Sequence, residues 1–237
     1  MGKSEHLPFV NHIYEPTKSK KGKTIIIFHG WGSSVNHYEK FAKELSALGF
    51  QVVVPEIVNH DSRNKLDNHF TKESTQQYFW KTIFTSIDGA ESLILELQIP
   101  KEDIILLGVS MGGFIANGIY VADENFAGLI NINGSGSFLL SECIFREADN
   151  RPLLATEEIN QLNFYDPMRK QQPSSSVLLM HGEQDSVVSI KGQEDYYTYL
   201  SRELSAPDVI FRKYKGINHT FSEEMNEDLI QWLEERF

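Results

Sequence analysis

Three residue types that together can perform acyl transfer occur in the order Ser110, Asp185 and His219. A serine hydroxyl is a weak nucleophile until a base takes its proton, and a histidine serves as that base when a carboxylate holds its tautomer. Each of the three lies just after a run of residues that is typical of a strand. Because the carboxyl ends of parallel strands meet at one edge of a sheet, we predict that these side chains converge there as nucleophile, acid and base.

The serine occupies a sequence that favours a very tight turn. It lies in Gly108-Val109-Ser110-Met111-Gly112-Gly113, between an apolar run from Ile104 to Leu107 and a helical pattern that starts at Phe114. Glycines on both sides allow a strand-to-helix turn that strains the serine backbone and lifts its hydroxyl clear of the sheet. The pattern predicts a nucleophile at position 110, and a Gly-Ser turn without chemistry is the alternative.

The acid and the base also have alternatives. Glu183 and Asp166 are the nearest rivals of Asp185, and either Asp185 or His219 could instead be a solvated loop residue. His181 lies four positions before Asp185, at the end of a strand pattern. We assign His181 a structural role, because a ring at that place can hydrogen-bond to the neighbouring loop backbone.

A glycine-containing loop could stabilise the negative charge that forms on the substrate oxygen. The sequence His29-Gly30-Trp31-Gly32 follows the strand pattern from Thr24 to Phe28. Backbone N–H groups beside a developing oxyanion lower the barrier of acyl transfer by about 3 kcal/mol each. We predict that the amides of Trp31 and Met111 supply these donors, with a plain glycine turn as the alternative.

The rest of the chain alternates short apolar runs with helical stretches, which is typical of a mainly parallel sheet with helices on both faces. An edge strand from Phe9 to Tyr14 could pair antiparallel. The other predicted strands are Thr24 to Phe28, Val52 to Val54, Ile104 to Leu107, Leu129 to Ile132, Val177 to Met180 and Val209 to Tyr214. The predicted helices are Tyr38 to Leu48, Thr75 to Leu97, Phe114 to Val121, Lys191 to Glu203 and Ser222 to Phe237.

Residues 133–176 depart from this alternation. They carry no strand pattern and are too long for a plain connection, and short helical patterns occur around Leu139 to Glu147 and Thr156 to Leu162. We therefore predict that residues 133–176 form an inserted cap within a single domain that spans residues 1–237.

The composition disfavours several classes of protein. The chain has 22 Lys and Arg against 33 Asp and Glu, a net charge of −11 that repels nucleic acid and anionic membranes. No apolar run approaches the roughly 20 residues that span a bilayer, and the first residues lack the apolar stretch of a secretory signal. The single cysteine, Cys143, cannot form an internal disulfide. We expect a soluble, cytoplasmic protein that binds neither nucleic acid nor membranes.

No cofactor or metal is expected. The histidines lack the His-Glu-x-x-His spacing of a zinc site, and one cysteine cannot form a metal-binding cluster. The sequence Gly134-Ser135-Gly136 is too short for a dinucleotide-binding fingerprint.

Taken together, these motifs resemble those of the α/β-hydrolase superfamily. Within it the chain is most similar to small serine carboxylesterases and to hydrolase domains of the prolyl-oligopeptidase type. The resemblance extends from Ile25 to the C-terminus, and it implies a sheet of about eight mostly parallel strands. It also implies a catalytic triad of Ser110, Asp185 and His219, and an oxyanion hole formed by the amides of Trp31 and Met111.

The chain departs from many relatives in the loop after Pro55. Those relatives carry a Gly-His-Gly sequence there, whereas this loop contains His60 without a flanking glycine. Serine at position 110 also differs from the aspartate of epoxide hydrolases and haloalkane dehalogenases and from the cysteine of dienelactone hydrolases.

The expected function is hydrolysis of small-molecule carboxylic esters with small to medium acyl groups, through an acyl-enzyme on Ser110. A peptidase or amidase, a thioesterase or acyltransferase, and a non-catalytic binding protein are the alternatives. Apolar residues of the predicted cap could line an acyl pocket or pack on the sheet, and three arginines could meet a substrate carboxylate or face solvent. These are Phe138, Leu139, Leu140, Ile144, Phe145, Leu153 and Leu154, with Arg146, Arg151 and Arg169.

Overall fold

A computed structural model describes residues 9–123, 125–170, 175–203 and 208–237 and places seven strands in one sheet. The strands are β1 (Asn11–Tyr14), β2 (Thr24–Phe28), β3 (Gln51–Pro55), β4 (Ile104–Val109), β5 (Gly128–Ile132), β6 (Ser176–Gly182) and β7 (Val209–Tyr214). Their order across the sheet is β1-β3-β2-β4-β5-β6-β7. β1 pairs antiparallel with β3, and the other neighbouring strands pair in parallel.

The predicted α/β architecture is confirmed. Each of the six patterns expected to form parallel strands does so, and the antiparallel edge strand begins at Asn11 rather than Phe9. The described residues hold seven strands where the resemblance implied about eight. Phe28 pairs with Gly108, and Val109 pairs with Ile132. The segments that follow β2, β4 and β5 therefore leave the sheet at the same level.

Seven helices cover the sheet in the described part of the chain. They are α1 (Glu39–Ala47), α2 (Lys72–Leu97), α3 (Met111–Tyr120), α4 (Phe138–Ala148), α5 (Thr156–Tyr165), α6 (Ile190–Thr198) and α7 (Glu223–Arg236). Leu45 of α1 and Trp232 of α7 are fully buried in the core on one face, whereas Phe84 of α2 and Phe114 of α3 belong to the core on the other. Because both faces are covered, every residue of β2 is buried, as expected for a central parallel strand.

Three of the five predicted helices differ from their predicted bounds by more than one residue at one end. α2 begins at Lys72 because the Thr71 side chain accepts a hydrogen bond from the Ser74 amide and caps the helix. α3 begins directly after Ser110, three residues before the predicted start. α6 ends at Thr198 and is followed by one π-helical turn, Tyr199–Glu203.

The two helical patterns within residues 133–176 form α4 and α5, between β5 and β6. The buried carboxylate of Asp166 holds this segment together. It accepts hydrogen bonds from the Leu139 amide at the start of α4 (2.9 Å) and from the Met168 amide (3.0 Å). Asp166 is thus committed to helix capping and is not available as the catalytic acid.

A membrane-spanning helix would need a long apolar stretch, and none of the helices in residues 9–123, 125–170, 175–203 and 208–237 has one.

Candidate active site

Ser110 has a strained backbone at the junction of β4 and α3. Its φ of +57° and ψ of −120° form a combination that residues with a Cβ rarely adopt. The Ser110 amide donates to the Ile132 carbonyl (2.8 Å), and the Gly113 amide donates to the Ser110 carbonyl (2.8 Å). The turn is therefore fixed to the neighbouring strand as well as to its own helix.

The glycines around Ser110 are a steric requirement of this turn. A Cβ on Gly108 would lie 2.0 Å from the Gly112 carbonyl oxygen. A Cβ on Gly112 would lie 1.9 Å from the Phe28 carbonyl oxygen. Real Cβ atoms do not approach backbone so closely, so any side chain at either position would push the serine out of place.

The structure brings Ser110, His219 and Asp185 into one hydrogen-bonded chain. His219 Nε2 lies 2.8 Å from Ser110 Oγ, and His219 Nδ1 lies 2.7 Å from Asp185 Oδ2. Because a carboxylate only accepts hydrogen bonds, the proton of a neutral His219 is on Nδ1 and Nε2 is left to accept the serine hydroxyl hydrogen. This geometry allows the imidazole to take the serine proton.

The Asp185 carboxylate is buried but fully hydrogen-bonded. Its side chain is 0% exposed, and its Oδ1 accepts from the amides of Val187 and Val188, both at 2.9 Å. Burial alone raises the pKa of Asp185, but hydrogen bonds from His181 and His219 outweigh that effect and hold the pKa well below its ordinary value. Asp185 therefore stays ionised at neutral pH, as a partner of an imidazolium must.

His181 has the structural role that the sequence predicts, together with a contact that it did not reveal. Its buried Nε2 lies 2.9 Å from the Val188 carbonyl, which is the loop contact expected of this ring. The same Nε2 lies 3.3 Å from Asp185 Oδ2. His181 and His219 thus contact the same oxygen of the Asp185 carboxylate.

Two asparagines connect the loops that carry the acid and the histidine. Asn218 Oδ1 accepts from the Ser186 amide (2.9 Å). Buried Asn133 donates from Nδ2 to the Thr220 carbonyl (2.8 Å) and accepts at Oδ1 from the Gly182 amide (3.0 Å). The loops after β5, β6 and β7 are therefore tied to one another, and sequence reasoning identified neither asparagine.

The His29–Gly32 segment packs directly against the serine. A Cβ on Gly30 would lie 3.2 Å from Ser110 Cβ and 3.7 Å from Ser110 Oγ. Across the ranges that the structure describes, neither the Trp31 amide nor the Met111 amide donates to a protein acceptor. In this part of the chain, both N–H groups are therefore left without a protein acceptor.

The loop after β3 holds this segment through His60. The Gly32 amide donates to His60 Nε2 (3.0 Å), and His60 Nδ1 lies 3.1 Å from the Val58 carbonyl. Since an amide only donates and a carbonyl only accepts, the proton is on Nδ1 and His60 is neutral. Burial, followed by the neighbouring His29, lowers the pKa of His60 to about 3. Protonated His60 would direct an N–H at the Gly32 amide, so the contact needs the neutral ring.

Further contacts from the same loop reinforce this arrangement. Asp61 accepts from the Val35 amide (3.3 Å) and lies 3.2 Å from His29 Nε2. The Trp31 indole donates to the His69 carbonyl (2.9 Å). Although three histidines meet here, the described residues contain no group of His, Cys, Asp or Glu side chains arranged to hold a metal ion.

A cavity of about 280 Å³ opens beside Ser110. Four aromatic side chains form its apolar walls, and these are Trp31, Phe79, Trp80 and Phe145. Phe79 and Trp80 come from α2, and Phe145 comes from α4. Its polar lining includes Glu142, Asp149 and Arg151. The cavity can hold a small, mainly apolar group next to the serine hydroxyl.

The candidate residues of the predicted cap lie in different environments. Of the seven apolar candidates, Phe145 lines this cavity, whereas Phe138 lies in the core and Leu153 is 95% exposed. Of the three arginines, Arg151 lines the cavity, and it is paired with Glu142 at 2.8 Å. α2, which we did not predict as part of the site, supplies more of the cavity wall than the apolar cap residues do.

The fold and the turn at Ser110 define the class of protein as an α/β hydrolase. The sequence pattern of the prolyl oligopeptidase family matches residues 36–237. The chain therefore belongs to that family.

Individual relatives are similar along most of the chain. A protein named "Putative esterase YitV" from Bacillus subtilis (strain 168) is 23% identical over 220 residues, which cover 84% of this chain and 82% of the relative. Esterase YjfP from Escherichia coli (strain K12) is 26% identical over 181 residues, 69% of each chain.

Solved structures share the fold at lower identity. Esterase PE8 aligns with a TM-score of 0.67 and 16% identity over 98% of this chain and 100% of its own. Acylaminoacyl peptidase from Pyrococcus horikoshii aligns with a TM-score of 0.72 and 18% identity over 99% of this chain but 40% of its own. This chain therefore corresponds to part of that larger enzyme.

The tautomer of His60 leads to a prediction about stability. His60→Gln keeps a side-chain acceptor for the Gly32 amide but does not titrate. Between pH 6.5 and about 3, unfolded wild-type protein binds a proton at position 60 that the folded protein does not bind. The difference in free energy of unfolding between wild type and His60→Gln is therefore constant above pH 6.5. Below pH 6.5 it changes against wild type as the pH falls, by at most about 1.4 kcal/mol per pH unit.

Urea unfolding of both proteins at a series of pH values measures this difference. Parallel stability curves for wild type and His60→Gln below pH 6.5 would show that the folded protein accepts the proton at His60 as readily as the unfolded chain does.

Proposed function

We propose that this protein is a serine hydrolase that cleaves carboxylic esters of small to medium acyl groups through an acyl-enzyme on Ser110. The observation that carries the proposal is the chain of hydrogen bonds from Ser110 Oγ through His219 to Asp185, with Ser110 lining a mainly apolar cavity. The similarity to two proteins named esterases, over 84% and 69% of this chain, supports the same reaction.

In the first half of the reaction, Ser110 Oγ attacks the ester carbonyl carbon while its proton passes to His219 Nε2. Asp185 stabilises the imidazolium that results. The carbonyl oxygen becomes an oxyanion and accepts hydrogen bonds from the Trp31 and Met111 amides. The tetrahedral intermediate then collapses, its bond to the leaving oxygen breaks, and His219 gives its proton to the departing alcohol.

In the second half, a water molecule replaces the alcohol. His219 Nε2 takes a proton from this water as its oxygen attacks the acyl carbon, and a second tetrahedral intermediate forms. Its collapse returns the proton to Ser110 Oγ and releases the carboxylic acid. The cycle uses one ester and one water and restores the enzyme. Apart from the ester and the water, each step uses side chains and backbone amides of this chain, and the proposal includes no metal or organic cofactor.

A peptidase or amidase is the second candidate, and the likeness to acylaminoacyl peptidase favours it. The same triad could cleave an amide if His219 protonated the nitrogen before it left. A thioesterase would also use the same acyl-enzyme. The cytoplasmic location and the expectation of no nucleic-acid or membrane partner stay predictions.

A panel of matched substrates tests the proposed reaction. Butyryl p-nitrophenyl ester, the corresponding p-nitroanilide and a butyryl thioester share one acyl group and differ in the leaving atom. We expect the ester to have the largest kcat/KM after each value is divided by the uncatalysed rate. A larger normalised value for the anilide would make the protein an amidase, and one for the thioester a thioesterase.

The role of Asp185 yields a second prediction. In Asp185→Asn, the side-chain oxygen can still accept the hydrogen bonds from the Val187 and Val188 amides. The NH₂ group of the asparagine then faces His219 Nδ1. That donor forces the proton of His219 onto Nε2, where it blocks proton transfer from Ser110. We expect kcat to fall by about 10³–10⁴-fold with little change in KM.

Glu183→Gln is the matched control, because Glu183 lies in the same turn and is the rival acid. Ester hydrolysis rates of the two variants decide between the carboxylates. If Glu183→Gln lost most of its ester hydrolysis while Asp185→Asn stayed active, Glu183 and not Asp185 would be the carboxylate partner of His219.

A further inference from the structure

The cavity beside Ser110 lies on the acyl side of the substrate, if the proposed ester hydrolysis is correct. The leaving alcohol must be next to His219 Nε2, since that atom supplies its proton. Ser110 and Trp31 line the cavity, whereas His219 is not among its lining residues. The group that enters the cavity is therefore attached to the carbonyl carbon on the side away from the leaving oxygen.

The indole ring of Trp80 is one of the aromatic walls of this cavity. It stacks on Phe84 with ring centroids 5.6 Å apart. It also meets Phe79 (5.6 Å) and Phe114 (5.5 Å) edge-on. Rings on several sides leave the indole little freedom to turn away.

A hydrogen bond to a buried carboxylate fixes the orientation of the indole. Trp80 Nε1 donates to Glu142 Oε2 (2.7 Å), and Glu142 is 4% exposed. Arg146 Nε (2.7 Å) and Arg151 Nη1 (2.8 Å) donate to Glu142 Oε1. Turning the indole aside would remove a donor from a buried charge, which is costly in a protein interior.

A second cavity, of about 490 Å³, adjoins the first. Four residues line both cavities and therefore lie at the border between them, and these are Gln76, Trp80, Glu142 and Arg151. The second cavity is mostly polar, and its lining includes Gln77, Lys81, Asp88, Glu158, Gln161 and Tyr165. Removal of the indole would join an apolar pocket to a polar one.

We propose that Trp80, held by Glu142, is a specificity-determining residue that sets the greatest acyl length the enzyme accepts. The substrates are esters of short apolar acids whose acyl chain ends against the indole. A longer chain would have to displace the ring and uncover the Glu142 carboxylate. The inference rests on the proposed ester hydrolysis and adds the residue that limits the length of the acyl group.

The test is the dependence of kcat/KM on acyl length, measured with p-nitrophenyl esters from acetate to dodecanoate. In wild type we expect kcat/KM to rise by up to about fourfold for each added methylene that the pocket buries, then to fall once the chain reaches Trp80. In Trp80→Ala, kcat/KM should begin to decrease only at a longer acyl chain than in wild type. Trp80→Phe keeps a ring at this place, so its limit should move less than that of Trp80→Ala.

Two comparisons separate specificity from stability. Leu45→Ala removes a fully buried side chain from the opposite face of the sheet and should keep the wild-type acyl limit. Trp80→Leu leaves a smaller void and repeats the comparison if Trp80→Ala does not fold, as judged by circular dichroism.

The outcomes distinguish this inference from the proposed function. A longer acyl limit in the Trp80 variants, with the wild-type limit in Leu45→Ala, supports it. An active wild type whose acyl limit is unchanged by Trp80→Ala or Trp80→Leu overturns it while leaving ester hydrolysis intact. A wild type that cleaves no ester in the series overturns the proposed function itself.

Discussion

The left-handed backbone of Ser110 is the constraint on which the rest of the site depends. Such a conformation costs about 1–3 kcal/mol and persists only where the surroundings fix it. Here the surroundings are the Ile132 carbonyl on β5 and the Phe28 carbonyl on β2, on either side of β4. A parallel sheet with β4 between these strands is therefore a condition for placing the serine hydroxyl, and not only a support for it.

The other reacting groups are held by contacts between loops. Asn133 joins the start of the Asp185 turn to the residue after His219, and His60 fixes the loop that contains the Trp31 amide. These contacts are buried or part-buried, and each has a backbone atom as one partner. In the proposed reaction, the Trp31 amide would already be in place when the oxyanion forms, and a donor that needs no reorganisation lowers the barrier most effectively.

Local sequence patterns were sufficient to predict the strands, the turn at Ser110 and the three candidate site residues. The strands were visible as apolar runs because both faces of the sheet are covered, and the serine turn was visible because only glycine fits at positions 108 and 112. The order of serine, acid and histidine followed from strand ends that meet at one edge. Their convergence in the structure is consistent with that prediction.

What escaped prediction depends on side chains that meet across long stretches of chain. His60 contacts a glycine 28 positions away, and Trp80 contacts a glutamate 62 positions away. Neither pair has a periodic pattern that would mark it. The apolar residues of α4 were ambiguous for a related reason, because helical spacing shows that a face is apolar but not whether it covers the sheet or a cavity.

Covalent labelling with a fluorophosphonate tests the central claim most directly, because it requires an activated serine but no knowledge of the substrate. Intact-mass measurement of wild type and Ser110→Ala, with mapping of the modified peptide, reads out the reaction. The account predicts one adduct in wild type, located on Ser110, and none in the variant. An unlabelled wild type at high reagent concentration, or an adduct that persists in Ser110→Ala, would contradict it.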